Sequence, residues 1–311
     1  MTETFGPQHT AVDDSSATWN RILRKAGLVY IYSRLCVLAG AAIIAAEIRA
    51  DVNLVGKLPV PFADPNIAGK PIPESALSPM LDVLTSWDGI WYLRIVRLGY
   101  PTHVRPNVTY DVTDARAAFF PTYPLLVEGV DKVLPGGDTA AALATNFVLG
   151  AIAIFLLGVL ARQLYGDQVA AKAMVLGAMF PGSFVLSFAY TEALLLVFAM
   201  GCLWCLASHR WFAAGVLAAL GTATRPNGLA LVLACAVAAV IAIHRDRDWR
   251  SLAAPLLAPL GFIAFQLWLG QHTGEAGVWF RVQTEAWGEG ASYGLTAIRK
   301  TFEAFTSPLT S

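Results

Sequence analysis

Apolar runs of membrane-spanning length recur along the chain, and short polar segments separate them. A helix needs about 20 consecutive apolar residues to cross the hydrocarbon core of a bilayer. The runs at residues 28–48, 139–161, 170–189, 192–208, 211–224, 228–243 and 252–270 are therefore predicted to be spans. The predicted fold is an all-α, polytopic transmembrane helical bundle of about seven spans.

Composition supports the same class. Of the 311 residues, 56% are hydrophobic and 14% are charged, whereas soluble domains carry roughly 25% charge. The formal net charge is zero and no basic stripe with interleaved aromatic residues occurs, which argues against nucleic acid as a partner. Cys202 and Cys205 have CxxC spacing but lie inside an apolar run, where small packed residues are expected.

The sequence indicates no oligomeric state.

The basic residues between the predicted spans lie in every second loop. Because successive loops alternate between the two sides of the membrane, these residues all lie on one predicted side. They are Arg21, Arg24 and Lys25, then Arg162 and Lys172, then His209 and Arg210, and finally those within residues 244–250. The positive-inside rule then predicts a multi-pass cell-membrane protein with a cytoplasmic N-terminus and an extracytoplasmic C-terminus. The loops around Asp88, Glu192, Arg225 and Gln283 are all predicted to be extracytoplasmic.

Three regions follow from this topology. Residues 1–27 are expected to be a disordered cytoplasmic tail with a basic flank, and residues 28–270 a transmembrane catalytic module. Residues 271–311 are expected to be extracytoplasmic. Within the module, loop 49–138 is too long for a simple connector and is expected to be functional.

Loop 49–138 is predicted to carry interfacial helices. A Pro-rich extended stretch is followed by "LSPMLDVLTSWDGIWYLRIVRLGYP", in which apolar residues recur at helical spacing among Trp and Tyr. Asp88, Trp91 and Tyr92 would share one face of this helix, which Gly99 would end. A second interfacial helix is predicted to begin near Pro124.

Asp88 is the carboxylate that stands among these aromatic residues. Its spacing leaves two interpretations open, a solvated loop carboxylate and a functional acid that Trp87 and Trp91 shield from water. Arg94 and Arg97 on the same helix are ambiguous between contact with a phosphate and anchoring at the membrane surface.

Three further polar groups lie in predicted extracytoplasmic loops. Glu192, close to Tyr190, is either a functional carboxylate or a helix start. Arg225, close to Asn227, either reaches lipid headgroups or binds a lipid-linked phosphate. Gln283 lies in a polar stretch after the last predicted span.

Several catalytic signatures are absent from the sequence. It contains no GxxxxGK[ST], no HExxH and no GxSxG, and no ligand spacing supports a metal site. With no nucleotide cradle, the chemistry is expected to use a donor that is already activated, and no cofactor is expected.

Four segments, in chain order, resemble the PIG-V-type mannosyltransferases, which include the GPI mannosyltransferase 2 enzymes and have bacterial members. They are "SWDGIWYLRIVRLGYP", "AAFFPTYPL", "LSFAYTEALL" and "TATRPNGL". The resemblance implies a GT-C glycosyltransferase that uses a polyprenyl-phosphate sugar and has its catalytic acid in the first external loop. Asp88 matches that acid. The other matching positions are Trp87, Tyr92, Phe120, Pro121, Tyr190, Glu192, Arg225 and Asn227.

The resemblance leads to a functional hypothesis. Mannose would pass from a polyprenyl-phosphate mannose to a lipid or cell-envelope glycan with inversion, with Asp88 as general base. Arg225, or else Arg94 and Arg97, would lie near the leaving phosphate, and the motif favours Arg225. Trp91, Arg94 and Gln283 complete the predicted substrate-binding residues. The family usually continues through further spans after residue 311, so a truncated end and an unusually short member both stay open.

The alternative is a non-enzymatic membrane protein, either a lipid-carrier transporter or an assembly subunit of an envelope glycan pathway. Transporters often contain inverted repeats with charges near the midplane. This sequence has no evident repeat, and Arg34 is the charge expected deep within a span. The polar residues at the predicted outer surface favour the enzyme.

Overall fold

The computed structural model describes residues 9–50, 78–288 and 299, and these residues form helices and no strand. The α-helices are α1 His9–Ala50, α2 Ser78–Leu84, α3 Asp88–Leu98, α4 Thr122–Asp131, α5 Gly137–Tyr165, α6 Asp167–Met179, α7 Glu192–Ala207, α8 Trp211–Thr222, α9 Ala230–Asp246, α10 Ala253–Leu257, α11 Leu260–Thr273 and α12 Val278–Trp287. Short 3-10 helices occupy Thr113–Ala118, Pro181–Ser187, Pro226–Leu229 and Trp249–Leu252.

The all-α membrane fold is confirmed, but the count of seven spans is not. In the part of the chain that the structure describes, four segments are long and apolar enough to cross a membrane: Ser16–Glu47, Gly137–Tyr165, Pro226–Asp246 and Trp249–Thr273. A fifth arises if α6 and Pro181–Ser187, which are bent by 73°, form one span. Helices α7 and α8 are also apolar but shorter. At a rise of 1.5 Å per residue, neither is long enough to cross the hydrocarbon core.

Helix α1 begins at His9, within the segment 1–27 that was expected to be a disordered tail. Its basic flank, Arg21, Arg24 and Lys25, is therefore helical and continuous with the apolar stretch. The Pro-rich part of loop 49–138 and most of the segment beyond residue 288 lie outside the described residues.

The structure divides the predicted interfacial helix of loop 49–138 into α2 and α3. The hydroxyls of Thr85 and Ser86 donate hydrogen bonds to the carbonyls of Leu81 and Val83, at 2.8 and 2.7 Å. Such side-chain bonds compete with continuation of a helix. Trp87 then adopts φ 53, a conformation that is rare for a bulky residue. As a result Asp88 becomes the first residue of α3.

Buried Arg34 of α1 holds the bend between α6 and Pro181–Ser187. Its guanidinium donates to the carbonyls of Ala178 and Ser183, at 3.2 and 2.5 Å, and to the Ser183 hydroxyl, at 2.9 Å. Backbone carbonyls freed by a bend at membrane depth need such partners, because lipid offers none. Arg34, the charge that the sequence predicted deep within a span, therefore stabilises the bend between α6 and Pro181–Ser187.

Close packing of α8 and α11 sets the position of the turn that follows α8. A Cβ atom added to Gly261 would lie 1.8 Å from the carbonyl oxygen of Ala219 and 2.8 Å from its carbonyl carbon. Since both are backbone atoms, the two helices must separate to admit a methyl group.

We expect Gly261→Ala to lower the free energy of unfolding by about 1–3 kcal/mol, the usual cost of overpacking. The measurement is the thermal midpoint in detergent. Gly40→Ala in α1 is the matched control, because a Cβ there meets nothing within 4 Å. Equal midpoints for the two variants would contradict the contact between α8 and α11.

Candidate active site

Three distant segments meet at the guanidinium of Arg225. One terminal nitrogen, Nη2, donates to Oδ2 of Asp88 at 3.1 Å. The other, Nη1, donates to Oε1 of Glu192 at 2.5 Å and to Oγ1 of Thr191 at 3.2 Å. The planar fork of arginine suits such a bridge, because its N–H groups point in fixed directions. Arg225 therefore joins the starts of α3 and α7 to the turn after α8.

Both carboxylates lie at helix N-termini. Asp88 is the first residue of α3 and Glu192 the first residue of α7. Negative charge is favourable there, because the first N–H groups of a helix have no intrahelical partner and the helix dipole is positive at this end. The helices thus support both acids independently of Arg225.

The turn that carries Arg225 requires glycine three residues later. The N–H of Gly228 donates to the Arg225 carbonyl at 2.9 Å, and Pro226 begins the 3-10 helix that follows. A Cβ on Gly228 would lie 2.3 Å from the carbonyl oxygen of Gly221 in α8. The "RPNG" sequence therefore fixes Arg225 through its turn geometry.

Tyr92 connects α3 to the segment before α7. Its hydroxyl shares a hydrogen bond of 3.2 Å with Thr191 Oγ1, the same atom that Arg225 contacts. Burial raises the pKa of Tyr92 far above its ordinary value, so the phenol is neutral at physiological pH. Asn146 of α5 also contacts this segment by donating to the Tyr190 carbonyl at 2.7 Å.

A cavity of about 340 Å³ opens beside Asp88 and Arg225, within the usual size range of small-molecule sites. Its walls are formed by Asp88, Tyr92, Ala118, Phe119, Phe120, Arg225, Pro226, Asn227, Gln283 and Trp287. Charged groups thus face aromatic and amide side chains across one small volume.

The structure separates the predicted site residues into three groups. Those in the cavity wall are Asp88, Tyr92, Phe120, Arg225, Asn227 and Gln283. Tyr190 and Glu192 are not part of that wall: Tyr190 is buried, and Glu192 is in direct contact with Arg225. Four others do not line the cavity: Trp87, Trp91, Arg94 and Pro121.

Each of those four has a different environment. Trp87 is 65% exposed, so it does not shield Asp88 from water, and Trp91 is buried in the aromatic core. The Arg94 guanidinium lies 4.7 Å from the centroid of the Trp91 ring in a buried cation–π contact. Pro121 precedes the first turn of α4. Arg97 forms a two-point ion pair with Asp138 at the surface.

Sequence reasoning missed several participants. Thr191 lies inside the quoted "LSFAYTEALL" segment, and its contacts with Tyr92 and Arg225 appear only in three dimensions. Trp287 reaches the cavity from α12, which no motif marks. Within the described residues, no group of three or more His, Cys, Asp and Glu side chains forms a metal cluster. Metal independence stays a prediction.

Two comparisons place the chain among known proteins. The family model of dolichyl-phosphate-mannose-protein mannosyltransferases matches residues 120–269. A GPI alpha-1,6-mannosyltransferase 2 from Cricetulus griseus is 28% identical over 181 residues, which cover 55% of this chain and 34% of that protein. The chain thus spans about a third of the length of this relative. No solved structure matches the chain. Over these segments the chain is thus similar to mannosyltransferases, the kind of membrane enzyme that the four motifs resemble.

Proposed function

We propose that the protein transfers mannose from a polyprenyl-phosphate mannose to a hydroxyl group of a lipid or cell-envelope glycan, with inversion. The observation that carries this proposal is the cavity in which Asp88 and Arg225 lie side by side. The matched family's description contains dolichyl-phosphate-mannose, a donor of this kind. The matched family and the GPI alpha-1,6-mannosyltransferase 2 are both mannosyltransferases, but their names differ in acceptor, which is protein for the family and GPI for the relative.

Asp88 is suited to the role of general base. Arg225 binds its Oδ2, whereas Oδ1 accepts no hydrogen bond from the part of the chain that the structure describes. The side chain is 36% exposed and lines the cavity, so an acceptor hydroxyl can reach it. In the proposed step this hydroxyl loses its proton to Asp88 as its oxygen bonds to the anomeric carbon.

Arg225 is suited to stabilise the leaving group. As the acceptor oxygen attacks, the bond between the anomeric carbon and the phosphate oxygen breaks, and polyprenyl phosphate leaves from the opposite face. Among the described cavity-lining residues, Arg225 is the sole lysine or arginine. A fixed guanidinium beside developing negative charge contributes more in a partly dehydrated cavity than in water.

The proposed site faces the extracytoplasmic side. Contact of Asp88 and Glu192 with Arg225 puts three of the motif loops at one end of the bundle, as expected if they share one side of the membrane. Alternation of basic loops then favours the extracytoplasmic side for this end.

The test compares two donors in membranes that contain the chain. One sample receives isotope-labelled polyprenyl-phosphate mannose, and the other receives labelled GDP-mannose with synthesis of the lipid donor blocked. We expect label to reach an acceptor only from the lipid donor, and membranes without the chain are the control. Transfer from GDP-mannose alone would overturn the proposed donor, and no transfer from either would favour the non-enzymatic alternative.

A further inference from the structure

We infer that α12 forms the acceptor subsite, in which Gln283 and Trp287 bind a neutral pyranose ring. The inference rests on the proposed transfer reaction and adds the class of acceptor and the residues that recognise it. It starts from Trp287, which no sequence motif marks and which nonetheless lines the cavity beside Asp88.

The chemistry of the α12 wall matches a sugar better than an ion. Gln283 and Trp287 contribute an amide and an indole to the cavity, and α12 contributes no charged group to it. A pyranose ring has C–H faces that pack on an aromatic ring and hydroxyls that both donate and accept hydrogen bonds, as an amide does. A phosphate or ammonium group at this wall would lack a partner of opposite charge.

Both side chains are held in position before any ligand binds. The Trp287 ring makes edge contacts with Trp91 and Phe119, with centroids 5.9 and 5.7 Å apart, and 36% of the residue stays exposed. The Gln283 amide nitrogen donates to the Ala118 carbonyl at 3.3 Å. Its Oε1 accepts no hydrogen bond from the described residues, which leaves it available to a ligand hydroxyl. Such preorganisation reduces the entropy cost of binding.

Arg281 fixes α12 against the loop that follows α3, which contains Val104 and Val108. Its guanidinium contacts both oxygens of Glu275, at 2.6 and 2.7 Å, and Oε2 of Glu285 at 2.8 Å. It also donates to the Val104 carbonyl at 3.2 Å, while the Val108 N–H donates to Glu285 at 2.9 Å. The hydrogen bond from Arg281 lowers the pKa of Glu275, so this ion pair is charged at neutral pH.

The location of α12 favours the acceptor over the donor sugar. The family-model match contains Arg225, the proposed phosphate contact, and ends at residue 269, before α12 begins. The wall built by α12 thus lies outside the matched part of the chain. We therefore assign Arg225 to the donor phosphate, α12 to the acceptor ring, and Asp88 to the hydroxyl between them.

The test uses octyl α-D-mannopyranoside as acceptor probe and polyprenyl-phosphate mannose as donor. We expect Trp287→Ala and Gln283→Ala to raise the acceptor KM about tenfold, equivalent to about 1.4 kcal/mol of lost binding, with the donor KM within twofold of wild type. Trp287→Phe should recover most of the loss. Thr284→Ala is the control, because this hydroxyl bonds to a carbonyl of its own helix, that of Phe280.

Arg281 is a positioning residue in this scheme. Arg281→Met should raise the acceptor KM with little change in kcat, and Arg281→Lys should restore part of the affinity. Equal losses in both kinetic constants, together with a lower thermal midpoint, would instead indicate a role in stability alone.

A binding measurement separates this inference from the proposed reaction. Saturation-transfer NMR in detergent should detect octyl mannoside on wild type and a much weaker signal on Trp287→Ala, whether or not transfer occurs. Binding without transfer would overturn the reaction and keep the subsite. Absence of wild-type binding, equal binding by both proteins, or a rise in the donor KM alone would overturn the subsite.

Discussion

Asp88→Asn is expected to lower kcat for mannose transfer about 10²–10⁴-fold, the usual contribution of a general base. The amide has nearly the same size as the carboxylate, and its oxygen can still accept the 3.1 Å hydrogen bond from Arg225. What is lost is the capacity to take a proton from the acceptor hydroxyl. The donor KM is therefore expected to change little.

Asp114→Asn is the matched control for this substitution. Asp114 belongs to the same long loop and also forms an ion pair with an arginine, Arg105, at 2.9 Å, but it does not line the cavity. Its variant should keep near-normal turnover. Near-normal turnover of Asp88→Asn as well would exclude Asp88 as the base and direct attention to Glu192.

Arg225→Lys is expected to lower kcat/KM for the lipid donor about 10²–10³-fold, the cost of removing one preorganised donor from a transition-state site. A lysine ammonium is compact and lacks the planar fork, so it is not expected to contact Asp88, Glu192 and Thr191 together. Arg225→Lys keeps the positive charge but loses the fixed directions of the guanidinium N–H groups. The variant therefore tests whether the orientation of these groups matters for transfer.

The control is Arg97→Lys, because Arg97 is also paired with carboxylate oxygens through two nitrogens, in its case both oxygens of Asp138, but at the surface and outside the cavity. Exposed ion pairs contribute about 0–1 kcal/mol, so transfer should be nearly unchanged. If both lysine variants are equally active, the fork of Arg225 has no special role. If both lose activity, the effect is general and does not arise at the cavity.

The sequence by itself determined that the protein is helical and lies in a membrane. The apolar run 139–161 predicts a span because lipid offers no hydrogen-bond partners, so a long apolar segment there must be helical. The structure extends it to α5, Gly137–Tyr165. Gly99 was predicted to end α3, and it does so at φ 66, which suits glycine. Four short motifs also gave the resemblance to mannosyltransferases, and they contain Asp88, Glu192 and Arg225.

Only the tertiary structure decided what these residues contact. The break before Asp88 depends on local hydroxyl bonds and on the Leu84 carbonyl, which accepts from the Ala189 N–H at 3.0 Å rather than continuing the helix. Helical periodicity placed Trp91 on the face of Asp88, yet packing directs its ring into the aromatic core.

The same is true of the groups brought together across the chain. Arg225 meets Asp88 at a sequence separation of 137 residues, and Trp287 reaches the cavity from a helix without a motif. Hydrophobic periodicity reports on neighbours three or four residues apart, because it records which face of one helix avoids water. Contacts between distant segments depend on how several helices pack against one another, and no window of a single sequence contains that information.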